Sequence, residues 1–434
     1  MSALTSGAIA QIRYLQRQTA SLLLYQSVFT SPAGQAFLDL LQALHHSEVS
    51  GFDCLTAYGN WFKVQAAKNL SWKDYLISQI LKDENPFSRE AQKTDFASLS
   101  PTLVDAARHD LQVLQNLYQC GSEQLSKWVR VAGQLEAVPP IWSSETVKEN
   151  GDLPLHEKLE NWSSSAESLA AYYRKFGTGL FAEYRAFQWK NGQLASISHP
   201  DRIKLQELVC CDWQRDAIVK NTEFLLAGYP ALHVLLYGSR GSGKSSLVKS
   251  LLNEFGYQNL RLIEVSKSDL QDLPLIVEQL RGVPQKFIIF VDDLSFEEDD
   301  DAFKSLKVVL EGNVTARPQN VAVYATSNRR HLIREFFDDR PRPRDGDEIH
   351  AWDTVQEKLS FSDRFGLTLT FEPADQNTYL TIVRHLALLA GIKLATEDLE
   401  HRAKEWATRR NGRSGRTARQ FVDFLKAELA LSQK

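Results

Sequence analysis

The stretch Val234-Leu235-Leu236-Tyr237-Gly238-Ser239-Arg240-Gly241-Ser242-Gly243-Lys244-Ser245-Ser246 decides the fold. A short apolar run feeds a Gly-x-x-x-x-Gly-Lys-Ser loop, and Leu247, Val248, Leu251, Leu252 and Phe255 then recur on one helical face. The loop therefore joins a strand to a helix, the setting in which this pattern cradles phosphates. Phosphate oxygens need several backbone N–H groups aimed at them. Gly238, Gly241 and Gly243 permit the tight turn and close approach that side chains block. The helix N-terminus adds its partial positive charge. Lys244 then reaches the β- and γ-phosphates, the Ser245 hydroxyl ligates Mg²⁺, and Ser239, Arg240, Ser242 and Ser246 complete the nucleotide-contacting set.

Downstream, Phe287-Ile288-Ile289-Phe290-Val291-Asp292-Asp293 is an apolar strand ending in two carboxylates. This arrangement holds a hydrated Mg²⁺ beside a phosphate loop, so Asp292 is read as the metal carboxylate and Asp293 as the group that orients or deprotonates a water. Val321 to Thr326 forms another strand, and Asn328 just beyond it either touches the γ-phosphate and that water or caps a turn. Arg364 precedes a last strand, Leu367 to Phe371, and either serves the site or pairs with Asp363. With Leu260 to Val265, five strands alternate with amphipathic stretches, which predicts a parallel sheet covered by helices. After Pro373 only helical spacing remains: Tyr379, Ile382, Val383, Leu386; Leu399, Ala403, Trp406; Phe421, Val422, Leu425, Leu429.

Upstream the pattern is helical to about residue 137, with Leu111, Leu114, Leu117 and Tyr118 as one example. Trp61, Trp72 and Trp128 have no motif around them and read as core. From Val138-Pro139-Pro140 to Ser165 the composition turns to Pro, Ser, Glu and Asn. The expected organisation is an α-helical N-terminal domain (1–150), a connecting segment (151–200), a nucleotide-binding α/β core (201–373) and a helical lid (374–434).

The 50 basic and 54 acidic residues of the 434-residue chain give a formal charge of −4, which offers no global attraction to nucleic acid or anionic lipid. A local exception is residues 402–419, where Arg402, Lys404, Arg409, Arg410, Arg413, Arg416 and Arg419 face one acid, Glu405, for a charge of +6. That run is either a nucleic-acid contact or a solvated face beside the nucleotide. The longest apolar runs are far too short to cross a bilayer, and the first thirty residues lack the pattern of a signal peptide, so the expected location is cytoplasmic. Four cysteines without Cys-x-x-Cys spacing predict reduced thiols and no structural metal.

Taken together, the phosphate loop, the Asp-Asp strand end, the strand-terminal Asn328, Arg364 before the last strand and an Arg in a helical lid resemble the AAA+ ATPases. Leu235 to Gly238, Val291-Asp292-Asp293-Leu294-Ser295-Phe296, Tyr324 to Leu332 and Lys358-Leu359-Ser360-Phe361-Ser362-Asp363-Arg364-Phe365-Gly366 are similar to an uncharacterised bacterial family of predicted AAA+ ATPases, catalogued as a domain of unknown function. The resemblance covers roughly residues 170–430. It implies a five-stranded parallel AAA+ core with a C-terminal helical lid. It also makes Gly238–Ser245 Walker A, Asp292 and Asp293 Walker B, Asn328 sensor 1 and Arg364 an arginine finger. Sensor 2 lies between Arg419, the first choice because it leads into the helix starting at Gln420, and Arg416. Two departures stand out. Asp293 replaces the usual Glu and is a methylene shorter, and Cys210 follows Leu208-Val209 where many relatives place Gly, with Val209 near the adenine.

The function implied is an ATPase, using ATP and Mg²⁺, that assembles as a homo-oligomer around shared sites and remodels a partner protein or nucleic-acid complex. Segments 268–274 and 281–284 lack the aromatic-apolar-Gly loop of protein-threading relatives, which disfavours threading. Two alternatives remain: a slow or inactive ATP-binding assembly switch, which Asp293 keeps open, and a P-loop phosphoryltransferase, which Asn328, Arg364 and the lid oppose.

Overall fold

The computed structural model describes residues 4–46, 51–143, 155, 161–295, 301–311, 318–328, 364–410 and 412–432. The acidic residues 297–300 and the motif residues 329–332 and 357–363 lie outside them. The chain forms two compact units, Met1–Glu183 and Tyr184–Lys434.

Among the described residues, the regular structure of the first unit is all helical. Its helices start where the sequence supplies caps: Thr5, Ser31, Ser71 and Asn85 accept backbone N–H groups, and Pro32, Pro86 and Pro101 sit in first turns where no N–H is needed. Trp61, Trp72 and Trp128 are buried, and Phe37 stacks on Trp72 with ring centroids 4.0 Å apart. The fully buried Asp110 accepts the N–H groups of Leu23, Leu24 and Tyr25, so its charge is balanced by the turn that it holds.

The second unit is built on a seven-stranded sheet: β1 (Ala186–Lys190), β2 (Gln193–Ile197), β3 (Val234–Gly238), β4 (Leu260–Glu264), β5 (Lys286–Val291), β6 (Val321–Ser327) and β7 (Leu367–Phe371). The order is β2-β1-β4-β5-β6-β3-β7, parallel throughout except for the antiparallel β1–β2 hairpin. The five strands from β3 to β7 are those expected from the sequence. The hairpin adds two at one edge, turning at Asn191-Gly192 with φ of 53° and 73°, a pair of left-handed residues that matches the strand twist. Strands β4, β5 and β6 are buried on both faces, as parallel strands between helical layers must be, whereas β7 alternates at its edge. β3 lies between its parallel neighbours β6 and β7, and the loop 239–243 begins at its carboxyl end. The lid helices, Gln376–Leu389, Thr396–Arg409 and Gly415–Ser432, pack around Tyr379, Val383, Leu386, Ala403, Phe421 and Leu425.

Candidate nucleotide site

The loop after β3 has the backbone its glycines allow. Gly238, Gly241 and Gly243 have φ of 137°, 75° and 95°, and a Cβ on Gly238 would lie 1.9 Å from the Phe371 carbonyl oxygen. Ser239 N–H donates to that same carbonyl at 3.1 Å, tying the loop to the end of β7. Lys244 opens the following helix, and its ammonium donates to Gly238 O (3.0 Å), Ser239 O (2.7 Å) and Asn328 Oδ1 (3.3 Å). Burial pushes its pKa down, and the nearby Asp293 and Asp292 work against that shift.

Two strand ends complete the polar wall. Ser245 Oγ donates to Asp292 Oδ1 at 2.6 Å, and Thr326 Oγ1 donates to the same oxygen at 2.5 Å. Thr326 in turn accepts the Asp293 N–H at 3.0 Å, and Asn328 Nδ2 donates to Asp293 Oδ1 at 2.6 Å. Asp293 itself has φ of 53°, a left-handed conformation that Asp tolerates better than most side chains. The hard oxygen donors of Ser245 and Asp292 suit Mg²⁺, which takes few protein ligands when it rides on phosphates. Among the described residues no group of three or more His, Cys, Asp or Glu side chains forms a separate metal site.

Lys244, Ser245, Asp292, Asp293, Thr326 and Asn328 line a cavity of about 680 Å³ together with Arg240, Gly241, Ser242, Gly243, Ser246 and Val209, whereas Gly238 and Ser239 are not in its lining. Leu208, Val209, Ile382 and Leu386 give it an apolar side suited to a base. Cys210, at φ 61°, makes the left-handed turn beside it where a Gly is the easier residue. The lid contributes both sensor candidates. Arg416 donates its backbone N–H to Gly241 O at 3.2 Å and its charge bears on Lys244, while the Arg419 guanidinium is bonded to Glu207. Arg364 stands three residues before β7 and is not among the cavity residues of its own chain.

Glu207, Thr326, Ile203 and the lid residues Ile382, Leu386 and Gln420 line the cavity without having been read as site residues from the sequence. Thr326 had a signal, a hydroxyl at a strand end two residues before Asn328. The others carry none along the chain and come together only in the fold. Of the basic run 402–419, Arg402 pairs with Glu428, Lys404 with Glu400 and Arg419 with Glu207, and Arg410 lies over the Trp406 ring.

A mainly parallel sheet with the Gly-x-x-x-x-Gly-Lys-Ser loop after β3, Asp292 and Asp293 just past β5, Asn328 just past β6 and three helices after β7 is the α/β architecture expected from the sequence. The chain belongs to the family described as "Protein of unknown function (DUF815)", whose model matches residues 182–429. No curated protein matches the chain. Among solved structures it is similar to the Thermotoga maritima RuvB Holliday junction branch migration motor, at 14% identity over 51% of this chain and 72% of that one, with a TM-score of 0.30. It is also similar to a mutant of Thermotoga maritima RuvB, at 16% identity over 51% and 63%, TM-score 0.34. A DNA replication initiation factor gives 15% identity over 52% and 64%, TM-score 0.33. The chain thus spans about two thirds of the length of these proteins. Among the described residues no helix is long and apolar enough to cross a membrane.

Proposed function

We propose that this chain binds Mg-ATP in the cavity above β3, hydrolyses it at interfaces between its own copies in the cytoplasm, and uses the cycle to remodel a partner protein or nucleic-acid complex. The observation that carries the reading is the convergence of Lys244, Ser245, Asp292, Asp293 and Asn328, from three strand ends, on one cavity. Lys244 and the loop N–H groups bind the β- and γ-phosphates, and Ser245 with Asp292 would hold Mg²⁺, which neutralises phosphate charge when bound. Asp293 accepts the proton of the attacking water, and Asn328 fixes the carboxylate that does so. Arg416 and Arg419 face the nucleotide from the lid, and Arg364 is supplied to the site of a neighbouring copy. The ion pairs within 402–419 make a nucleic-acid contact there the weaker reading of that run.

The test is phosphate release by the purified chain with ATP and Mg²⁺, alongside nucleotide affinity by calorimetry, in wild type and Lys244→Ala. The reading requires turnover in the first and about a hundredfold or greater loss of affinity in the second. One observation favours the alternative of an ATP-binding assembly switch: Asp293 is short, left-handed and already bonded to Asn328. That alternative requires tight binding and ATP-dependent assembly without turnover.

A further inference from the structure

The segment from Asp201 to Leu208 runs as a strap along one side of the cavity and is tied at both flanks. On the core flank, Asn253 Nδ2, on the helix that Lys244 opens, donates to the carbonyls of Asp201 (2.9 Å) and Ile203 (2.7 Å). On the lid flank, His385 Nε2 meets Gln206 O at 2.7 Å. A carbonyl only accepts, so the imidazole there carries its proton on Nε2. Beside it, Arg419 donates to Glu207 Oε2. The other carboxylate oxygen, Oε1, accepts the Lys204 N–H at 3.1 Å. Glu207 is therefore anchored by the strap's own backbone, and Arg419, near the start of the lid helix Gly415–Ser432, is the arm that reaches it. Ile203, Glu207 and Leu208 face the cavity from the strap, Val209 follows just beyond it, and Arg419 and Gln420 face the cavity from the lid.

We infer that Glu207 and Arg419 form a latch that holds the lid to this strap and so sets how fast nucleotide leaves the cavity. The inference rests on the nucleotide-site reading above. The pair engages only Nη2 of Arg419, so the guanidinium has two candidate roles, a tie to the strap and a phosphate contact, and the bond to Glu207 holds it toward the strap. Arg416, whose backbone N–H donates to Gly241 O, is the other lid arginine beside the loop. The side chains of Arg419 and Glu207 are 40% and 21% exposed, so the pair is screened only in part. Each nucleotide departure requires the lid to part from the strap, and the latch opposes that step.

The variants Glu207→Gln, Arg419→Gln and their combination separate the two roles, because the side-chain amide introduced by Glu207→Gln keeps an oxygen for the Lys204 N–H while losing the charge. Release of a fluorescent ATP with Mg²⁺ is followed by stopped flow, and amide hydrogen exchange of residues 205–208 is followed without nucleotide. The expected result is release about three- to tenfold faster in each single variant, no further increase in the double variant, and faster exchange in all three. Slower release in Glu207→Gln, the outcome if Arg419 is freed to grip phosphate, overturns the latch, as do effects that multiply. Tight nucleotide binding with unchanged exchange overturns the latch alone. Exchange that responds as expected in a protein that binds no nucleotide overturns the nucleotide reading, and with it the release role, while leaving the strap-to-lid tie in place.

Discussion

Asn328 joins two charged residues from different strand ends: its Nδ2 donates to Asp293 Oδ1 at 2.6 Å, while its Oδ1 accepts from Lys244 Nζ at 3.3 Å. The amide is thereby oriented by both its neighbours, and the distance between a cation and a carboxylate is set by one rigid plane. A hydrolytic site needs that spacing fixed before substrate arrives, because positioning that precedes reaction costs nothing at the transition state.

Replacing Asp293 with Asn keeps the shape of the side chain and its tolerance for the left-handed backbone at φ 53°. It removes the carboxylate proposed above to take a proton from water. Nucleotide affinity should stay within a few-fold of wild type, and phosphate release should slow by about a hundredfold or more. Calorimetry and a phosphate-release assay on the same preparation check both halves. Wild-type turnover would take Asp293 out of the mechanism.

Thr326→Val keeps the volume of a side chain that is 2% exposed and deletes a hydroxyl with two partners, Asp292 Oδ1 and Asp293 N–H. The N–H loses its acceptor, so the second unit should be less stable by about 1–3 kcal/mol. Asp292 also loses one of the two hydroxyls that orient it, so the Mg²⁺ concentration for half-maximal turnover should rise. Urea titration and a Mg²⁺ titration measure the two effects separately.

Strands β4 to β6 were legible because a strand buried on both faces must be nearly continuously apolar, as Phe287 to Val291 and Val321 to Ala325 are, and β7 by its edge alternation. The β1–β2 hairpin was missed although Asn191-Gly192 between Trp189 and Leu194 is a strong hairpin signal. Around the site, the phosphate loop, Asp292, Asp293 and Asn328 were legible because each lies at a strand end, where spacing along the chain fixes position. Glu207 was not. Its partner Arg419 is distant in sequence, and only the folded unit brings the two together. The choice between Arg416 and Arg419 had the same difficulty, since both lie near the start of the helix Gly415–Ser432, less than one turn apart, and spacing alone cannot say which one turns to the loop.

Gly238→Ala tests the loop's backbone rather than its chemistry. The added methyl would meet Phe371 O at 1.9 Å in a conformation that L-residues rarely adopt, so a loss of about 3 kcal/mol or more is expected in the second unit. Gly59→Ala is the matched control, since nothing lies within 4 Å of the added carbon and the site is inside the helix Gly51–Lys68. That change should stabilise the first unit by about 0.5–1 kcal/mol. Thermal scans of both variants should therefore move in opposite directions.

Arg364 stands outside the cavity of its own chain, just before β7, so a role in catalysis requires it to reach the site of a neighbouring copy. On that reading Arg364→Ala leaves nucleotide binding nearly intact and lowers hydrolysis by about a thousandfold or more, the scale of an arginine acting on transition-state charge. Loss of activity alone does not separate this from an ion pair with Asp363 inside one chain, but mixing does. Arg364→Ala subunits keep an intact phosphate loop, and Lys244→Ala subunits keep an intact Arg364. A mixture of the two inactive proteins forms some interfaces that combine the good half of each, so it should regain part of the wild-type turnover. Native mass spectrometry of the same mixtures reports whether the variants co-assemble. Co-assembly without recovered hydrolysis would count against a shared site and assign Arg364 to the fold of its own chain.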